Sequence, residues 1–146
     1  MAKKQRKSKN LINKKASFDY QFLESLETGL VLTGEEIKAI RANKVNLSGS
    51  HIKIIGGEAF WVGGIINVVS GDQQRTRKLL MHKEEIKRFF GKSEEKGLTI
   101  IPKKIYLKHG RAKLEIALSR GKKLHDKREI TKKRDMEREV ARSIKY

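Results

Sequence analysis

Residues 105–118, IYLKHGRAKLEIAL, decide how this chain folds. In the second half Ala112, Leu114, Ile116 and Leu118 share one face, while Arg111, Lys113 and Glu115 share the other. That period of two is the mark of a strand with one buried side. His109-Gly110 separates it from the shorter run Ile105–Lys108, which makes the whole stretch a hairpin candidate. Working outward, Ile52 and Ile54 alternate with His51 and Lys53, and Gly56-Gly57 offers a tight turn into Ala59–Val62. Gly63-Gly64 breaks that strand and Ile65–Val69 resumes it. Nearer the start, Phe18, Tyr20 and Phe22 alternate with Ser17, Asp19 and Gln21. Two helices interrupt the strands. Thr33-Gly34-Glu35-Glu36 has the capping-box form, followed by Ile37, Ile40 and Arg41 at helical spacing. Lys83–Phe90 predicts a second, with Ile86, Phe89 and Phe90 inward and Gly91 as its stop, and Ser93–Gly97 adds a single turn. The expected fold is mainly β, a small antiparallel barrel of OB type with two or three short helices. The pattern by itself does not separate it from an SH3-like barrel.

The charge says where such a barrel would be used. Among 146 residues, 35 Lys and Arg stand against 17 Asp and Glu, a formal net charge of +18. Self-repulsion on that scale calls for an anionic partner, with nucleic acid first and an anionic membrane surface second. The excess is concentrated at the ends. Residues 1–15 carry seven basic side chains and no acid, and residues 120–146 carry eleven basic and five acidic ones. The expected organisation is a basic arm over 1–15, disordered when free, a barrel over 16–119 and a flexible basic tail over 120–146. No apolar run reaches the roughly 18 to 20 residues that cross a bilayer. The start has charges but no apolar core of a secretory signal. With no cysteine, disulfides, thiolate zinc sites and iron–sulfur clusters are excluded, and a cytoplasmic location fits. The histidines 51, 82, 109 and 125 are too scattered for a metal motif, so no metal and no cofactor is expected.

Candidate contacts follow from the same chemistry. Arg75 and Arg77 are two apart, so an extended segment projects them to one side, and a planar guanidinium suits phosphate or stacking. Lys78 adds a point charge, although a solvated loop fits this segment equally well. Leu80 reads as core on chemistry alone. Gly91-Lys92-Ser93 is not a phosphate loop, because Ile86 occupies the place of the required glycine. Glu35/Glu36 and Glu84/Glu85 fall in first helical turns, where the helix dipole favours carboxylates. No nucleophile–base pairing is visible, and no enzymatic activity is expected. The tail could form a helix over 126–144, but Met136, Val140 and Ile144 make only a thin apolar stripe. Like charges at Arg134, Arg138 and Arg142 oppose it, which predicts coil that becomes helical against an anionic surface.

Five segments in order, GLVLTGEEIKAIR (29–41), RTRKLLMH (75–82), EEKGLTIIP (94–102), Gly110–Lys113 and GKKLHDKR (121–128), resemble the SmpB family of SsrA-binding proteins. The resemblance runs from about Asn13 to the end. It implies an OB-type barrel in the bacterial cytoplasm that binds transfer-messenger RNA and delivers it, charged with alanine, to stalled ribosomes. Elongation factor Tu would be met indirectly, through the charged RNA, and no membrane is involved. By position, the resemblance assigns RNA contact to Glu27, Leu80, His82 and Lys113, beside the basic Arg75, Arg77 and Lys78. It assigns the decoding region of the small subunit and the mRNA channel to Gly121, Lys122, Lys123, His125, Asp126, Lys127 and Arg128. The chain departs from the family pattern at Phe18, Glu35, Met136 and Ser143-Ile144. The rival reading is a ribosomal protein or another structural protein of rRNA.

Overall fold

The computed structural model describes residues 11–122 and 124–144, with side-chain surroundings in the last segment given for 128–129 and 131–139. The hairpin of residues 105–118 is its backbone. Strands β8 (Thr99–Lys108) and β9 (Arg111–Gly121) pair along their length, joined at His109 and Gly110 with φ of 52° and 74°. Both turn residues are left-handed, the geometry whose twist matches the flanking strands. On its other side β9 pairs antiparallel with β2 (Tyr20–Leu30). The second predicted hairpin is β4 (His51–Ile55) and β5 (Glu58–Val62), turning at Gly56 and Gly57 with φ of 58° and 76°. Strand β7 (Arg77–Leu80) bridges β5 and β2, and a short pairing of β4 with β8 closes the ring. The order β8-β4-β5-β7-β2-β9, with β9 back on β8, is the expected antiparallel barrel. Closure leaves the ring without a free edge to aggregate.

The barrel is filled by the alternating apolar residues. Ala112, Leu114, Ile116 and Leu118 are all buried, together with Trp61, Leu79, Phe89, Ile100 and Ile105. Helix α2 (Gly34–Arg41) begins at the predicted capping box: Thr33 Oγ1 accepts from the Glu36 N–H, and a Glu36 carboxylate oxygen accepts from the Thr33 N–H.

Several boundaries differ from the sequence expectation. Strand β1 (Leu11–Ile12) pairs with β8, and helix α1 (Lys14–Asp19) follows it, so residues 11–15 of the expected arm are built onto the barrel. The cause is Asn13. Its side chain is buried, accepts from the Ala16 N–H as helix cap, and donates to the Leu47 and Pro102 carbonyls. These anchors hold 14–19 as helix, so Phe18 is helical and the strand starts at Tyr20. Residues 1–10 of the arm lie outside the described residues. Helix α3 (Lys83–Lys96) passes through Gly91 and ends at Gly97, where φ is 62° and the N–H reaches the Ser93 carbonyl. A mid-helix glycine costs only about 1 kcal/mol, which the packing of Ile86 and Phe89 overrides. Of 65–69 only β6 (Ile65–Ile66) is strand, paired with β3 (Val45–Asn46) outside the barrel. The tail forms helix α4 (Leu124–Ile144).

Candidate nucleic-acid interface

The hairpin register writes a row of side chains across four strands. Leu80 pairs with Gly29, Gly29 with Lys113, and Lys113 with Tyr106. Directly opposed residues share a face, and this one is the outer face, since Ala112 and Leu114 beside Lys113 point into the core. Leu80 is 58% exposed. Lys113 and Tyr106 are half-buried. Gly29 has no side chain, and a Cβ there would stand 3.3 Å from both Leu80 Cβ and Leu80 Cδ1, so glycine leaves the room that the Leu80 side chain takes up.

A second row runs beside it through Glu27, Glu115 and Lys104. The register shift between Pro102 and Lys104 is a bulge that brings Lys103 onto the same carboxylate as Lys104. Lys103 Nζ lies 3.4 Å and Lys104 Nζ 3.2 Å from the two oxygens of Glu115. Lys103 also sits 5.1 Å over the Phe22 ring and Lys104 5.6 Å over Tyr106, within cation–π range. Glu27 accepts a hydrogen bond from the Tyr106 hydroxyl and has Lys108 Nζ at 3.7 Å. The Tyr106 hydrogen bond, with the nearby Lys108 and Lys113 charges, holds the Glu27 carboxyl below the usual range. Burial and the Glu27 carboxylate push the Tyr106 phenol up. With Lys103, Lys104, Lys108, Arg111 and Lys113 against Glu27 and Glu115, the patch is basic with aromatic rings interleaved, the composition that tracks unpaired nucleic acid.

Arg77 is not part of this face, and the expectation that it meets RNA phosphates is corrected by its burial. Its side chain is fully buried, with Nε donating to Glu36 at 2.6 Å and the terminal nitrogens to the Gly64 and Gln73 carbonyls at 2.7 and 2.9 Å. Its guanidinium stacks 5.1 Å over Trp61, whose Nε1 donates to Ser50 Oγ. The two-residue spacing does place Arg75 on the same side, but toward the same partner: Arg75 lies 2.5 Å from Glu36 and remains 40% exposed. Burial pushes the Glu36 carboxyl up; hydrogen bonds from Arg75, the Thr33 N–H and Arg77, with the Arg77 charge, outweigh it and set its pKa at about 2. The capping-box carboxylate is thus also the centre of a buried ion pair, a role the dipole argument did not suggest.

The other candidates lie apart from the rows or on their margin. Lys78 is exposed and pairs with Glu58 at 3.3 Å. His82 is exposed at the N-cap of α3, its N–H donating to Glu85. Gly121 ends β9. Lys122 is tied to α1, its N–H to the Asp19 carbonyl and its Nζ to the Ser17 carbonyl. Lys123 lies outside the described residues. His125, Asp126 and Lys127 are in the first turn of α4, with side chains outside the described set. Arg128 is exposed and, with Thr131, Asp135 and Met136, lines a groove of about 490 Å³ against Phe18 of α1. Arg134 lies 5.7 Å over the Phe18 ring.

Tyr106, Lys104, Lys103 and Phe22 were not among the contacts expected from sequence. The signal was present: a two-residue turn at His109-Gly110 fixes Lys108 opposite Arg111, and counting back puts Tyr106 opposite Lys113. Among the described residues, no group of three or more His, Cys, Asp or Glu side chains comes together to hold a metal. No helix among them is long and apolar enough to cross a membrane.

A family model described as SmpB protein matches residues 10–146. This chain belongs to the SmpB family. The SsrA-binding protein of a Nitratiruptor species is 50% identical over 141 residues, covering 91% of this chain and 94% of the relative. That of Acidovorax sp. (strain JS42) is 48% identical over 153 residues, covering 99% and 98%. The chain is also similar to one in a solved structure described as "tmRNA-SmpB: a journey to the center of the bacterial ribosome", at 42% identity and a TM-score of 0.68, covering 79% of this chain and 85% of that one. The SmpB match covers the barrel and extends through the tail.

Proposed function

We propose that this SmpB-family protein binds the tRNA-like part of transfer-messenger RNA and delivers it to ribosomes stalled on messages without a stop codon, where the tagging reaction of trans-translation follows. The observation that carries the reading is the outer row Leu80–Gly29–Lys113, because residues the family assigns to RNA come from separate strands and meet on one basic face. A folded RNA of this kind is recognised by shape, loops and 2′-hydroxyls, and a rigid basic sheet face suits such a target. Lys113, Leu80 and Glu27 belong to this contact, with Arg75, Lys78 and His82 on its margin, while Arg77 supports it from the core. The chain itself makes and breaks no bond.

The tail segment Gly121–Arg128 enters the decoding region, and the rest of α4 lies in the mRNA channel. A message still present there would exclude it, so seating of the tail reports an empty track. Elongation factor Tu is met only through the charged RNA, and delivery to a translating ribosome requires the cytoplasm. The experiment is to purify the protein from a bacterial lysate at moderate salt and sequence the RNA that comes with it. An alanine-accepting small RNA is expected, and recovery of rRNA alone would favour a structural ribosomal protein. Removal of residues 121–146 should leave that RNA bound while abolishing tagging on stalled ribosomes; a fully active truncation overturns the role of the tail.

A further inference from the structure

A carboxylate in the middle of a face for a polyanion needs a reason, because Glu27 set directly against phosphates would add repulsion. Its surroundings supply one. The Tyr106 hydroxyl donates to Glu27 across two strands, and Lys108 Nζ approaches its other oxygen. The same phenol stands opposite Lys113 in register, so the hydrogen bond fixes the ring at the end of the Leu80–Gly29–Lys113 row. On the far side Lys104 lies over the ring and is itself held by Glu115 at 3.2 Å. Glu27 and Glu115 therefore brace Tyr106 from two directions.

We propose that Tyr106 is a nucleotide-contacting residue of this face, taking an unpaired base or its ribose against the ring, and that Glu27 is a positioning residue acting through it. The inference rests on the RNA-binding reading above and deepens it. Lys113 lies across the strand pair from the ring and Lys104 and Lys108 stand two residues before and after it along β8, so a nucleotide seated at the ring has cations within reach of both neighbouring phosphates. Preorganisation is the gain: an unanchored phenol would give up rotamer freedom on binding, whereas this one is already held.

The test is a set of binding curves for the full-length protein and the tRNA-like RNA at fixed moderate salt, with thermal melts to confirm folding. Tyr106→Ala should weaken binding about ten- to hundredfold, the range for loss of one base–aromatic stack. If that variant melts early, Tyr106→Leu keeps the apolar bulk and should show the same loss. Tyr106→Phe, which keeps the ring without its anchor, should lose only several-fold. Glu27→Gln still accepts the phenol hydrogen bond and should bind within about threefold of wild type, while Glu27→Ala should resemble Tyr106→Phe. The deciding comparison is Glu27→Ala/Tyr106→Ala, expected to bind no worse than Tyr106→Ala alone, because effects that run through one contact do not add. Multiplied losses in the double variant, or wild-type binding by a folded Tyr106→Ala, would overturn the inference. Lys113→Ala separates the two levels: its loss of affinity beside an unaffected Tyr106→Ala refutes only the role of Tyr106, whereas absence of binding by the wild type refutes the RNA-binding reading itself.

Discussion

Replacing Glu36 by glutamine keeps the shape of the side chain and removes the charge that Arg77 depends on. Arg77 is fully buried and the Glu36 side chain is 3% exposed, so solvent cannot step in. Removing one partner of a buried pair costs about 3 to 5 kcal/mol. The titration of Glu36 gives a second route to the same number: depression from 4.5 to about 2 corresponds to about 3 kcal/mol of stability. Both routes place the loss near 3 kcal/mol, which at the entropy of a domain of this size lowers Tm by roughly 10–15 °C. The assay is thermal unfolding by circular dichroism at pH 7, repeated at lower pH. Because the folded pKa is depressed, the contribution of Glu36 is complete above pH 4.5 and is lost as pH falls from there toward 2. The gap between wild type and Glu36→Gln should therefore close over that window. A variant that melts within a degree or two of wild type at pH 7, or a gap that stays constant down to pH 2, would refute the buried pair as a source of stability.

Three further outcomes are expected. Gly64→Ala puts a Cβ 2.0 Å from the Trp61 ring, an overlap that backbone movement must relieve at a cost of about 1 to 3 kcal/mol; an unchanged urea midpoint would show that the loop gives way freely. Gly97→Ala meets no neighbouring atom but keeps a φ of 62°, so it should lose only about 1 kcal/mol through strain, read in the same titration, and a larger loss would point to packing that the geometry lacks. A peptide of residues 121–146, without Phe18 to lie against, should give a far-ultraviolet spectrum dominated by coil in water, and a majority-helix spectrum would mean that α4 needs neither barrel nor ribosome.

Much of the barrel was legible because its strands alternate cleanly. The faces of Arg111–Leu118, the turns at Gly56-Gly57 and His109-Gly110 and the Thr33 capping box are each encoded by neighbours in sequence. What escaped depended on contacts across the chain. Asn13 gains its buried partners from Leu47 and Pro102, 34 and 89 residues away, and these turn an apparent strand at Phe18 into a helix. Arg77 looked like a surface cation because nothing adjacent in sequence announces Glu36 as its partner 41 residues back. The site divided in the same way. Lys113 was readable from its strand face, Leu80 has the chemistry of a core residue yet stands exposed, and Tyr106 became visible only once the hairpin register put it beside Lys113.

Lys113 and Gly121 are eight residues apart on one uninterrupted strand, β9, a span of about 27 Å at the usual rise. At its far end Lys122 is pinned to α1 by two hydrogen bonds. The strand thus works as a fixed ruler: the point at which the chain leaves the sheet lies one strand length from Lys113. On the proposed reading, the distance between the gripped RNA and the departing tail is set by the sheet itself.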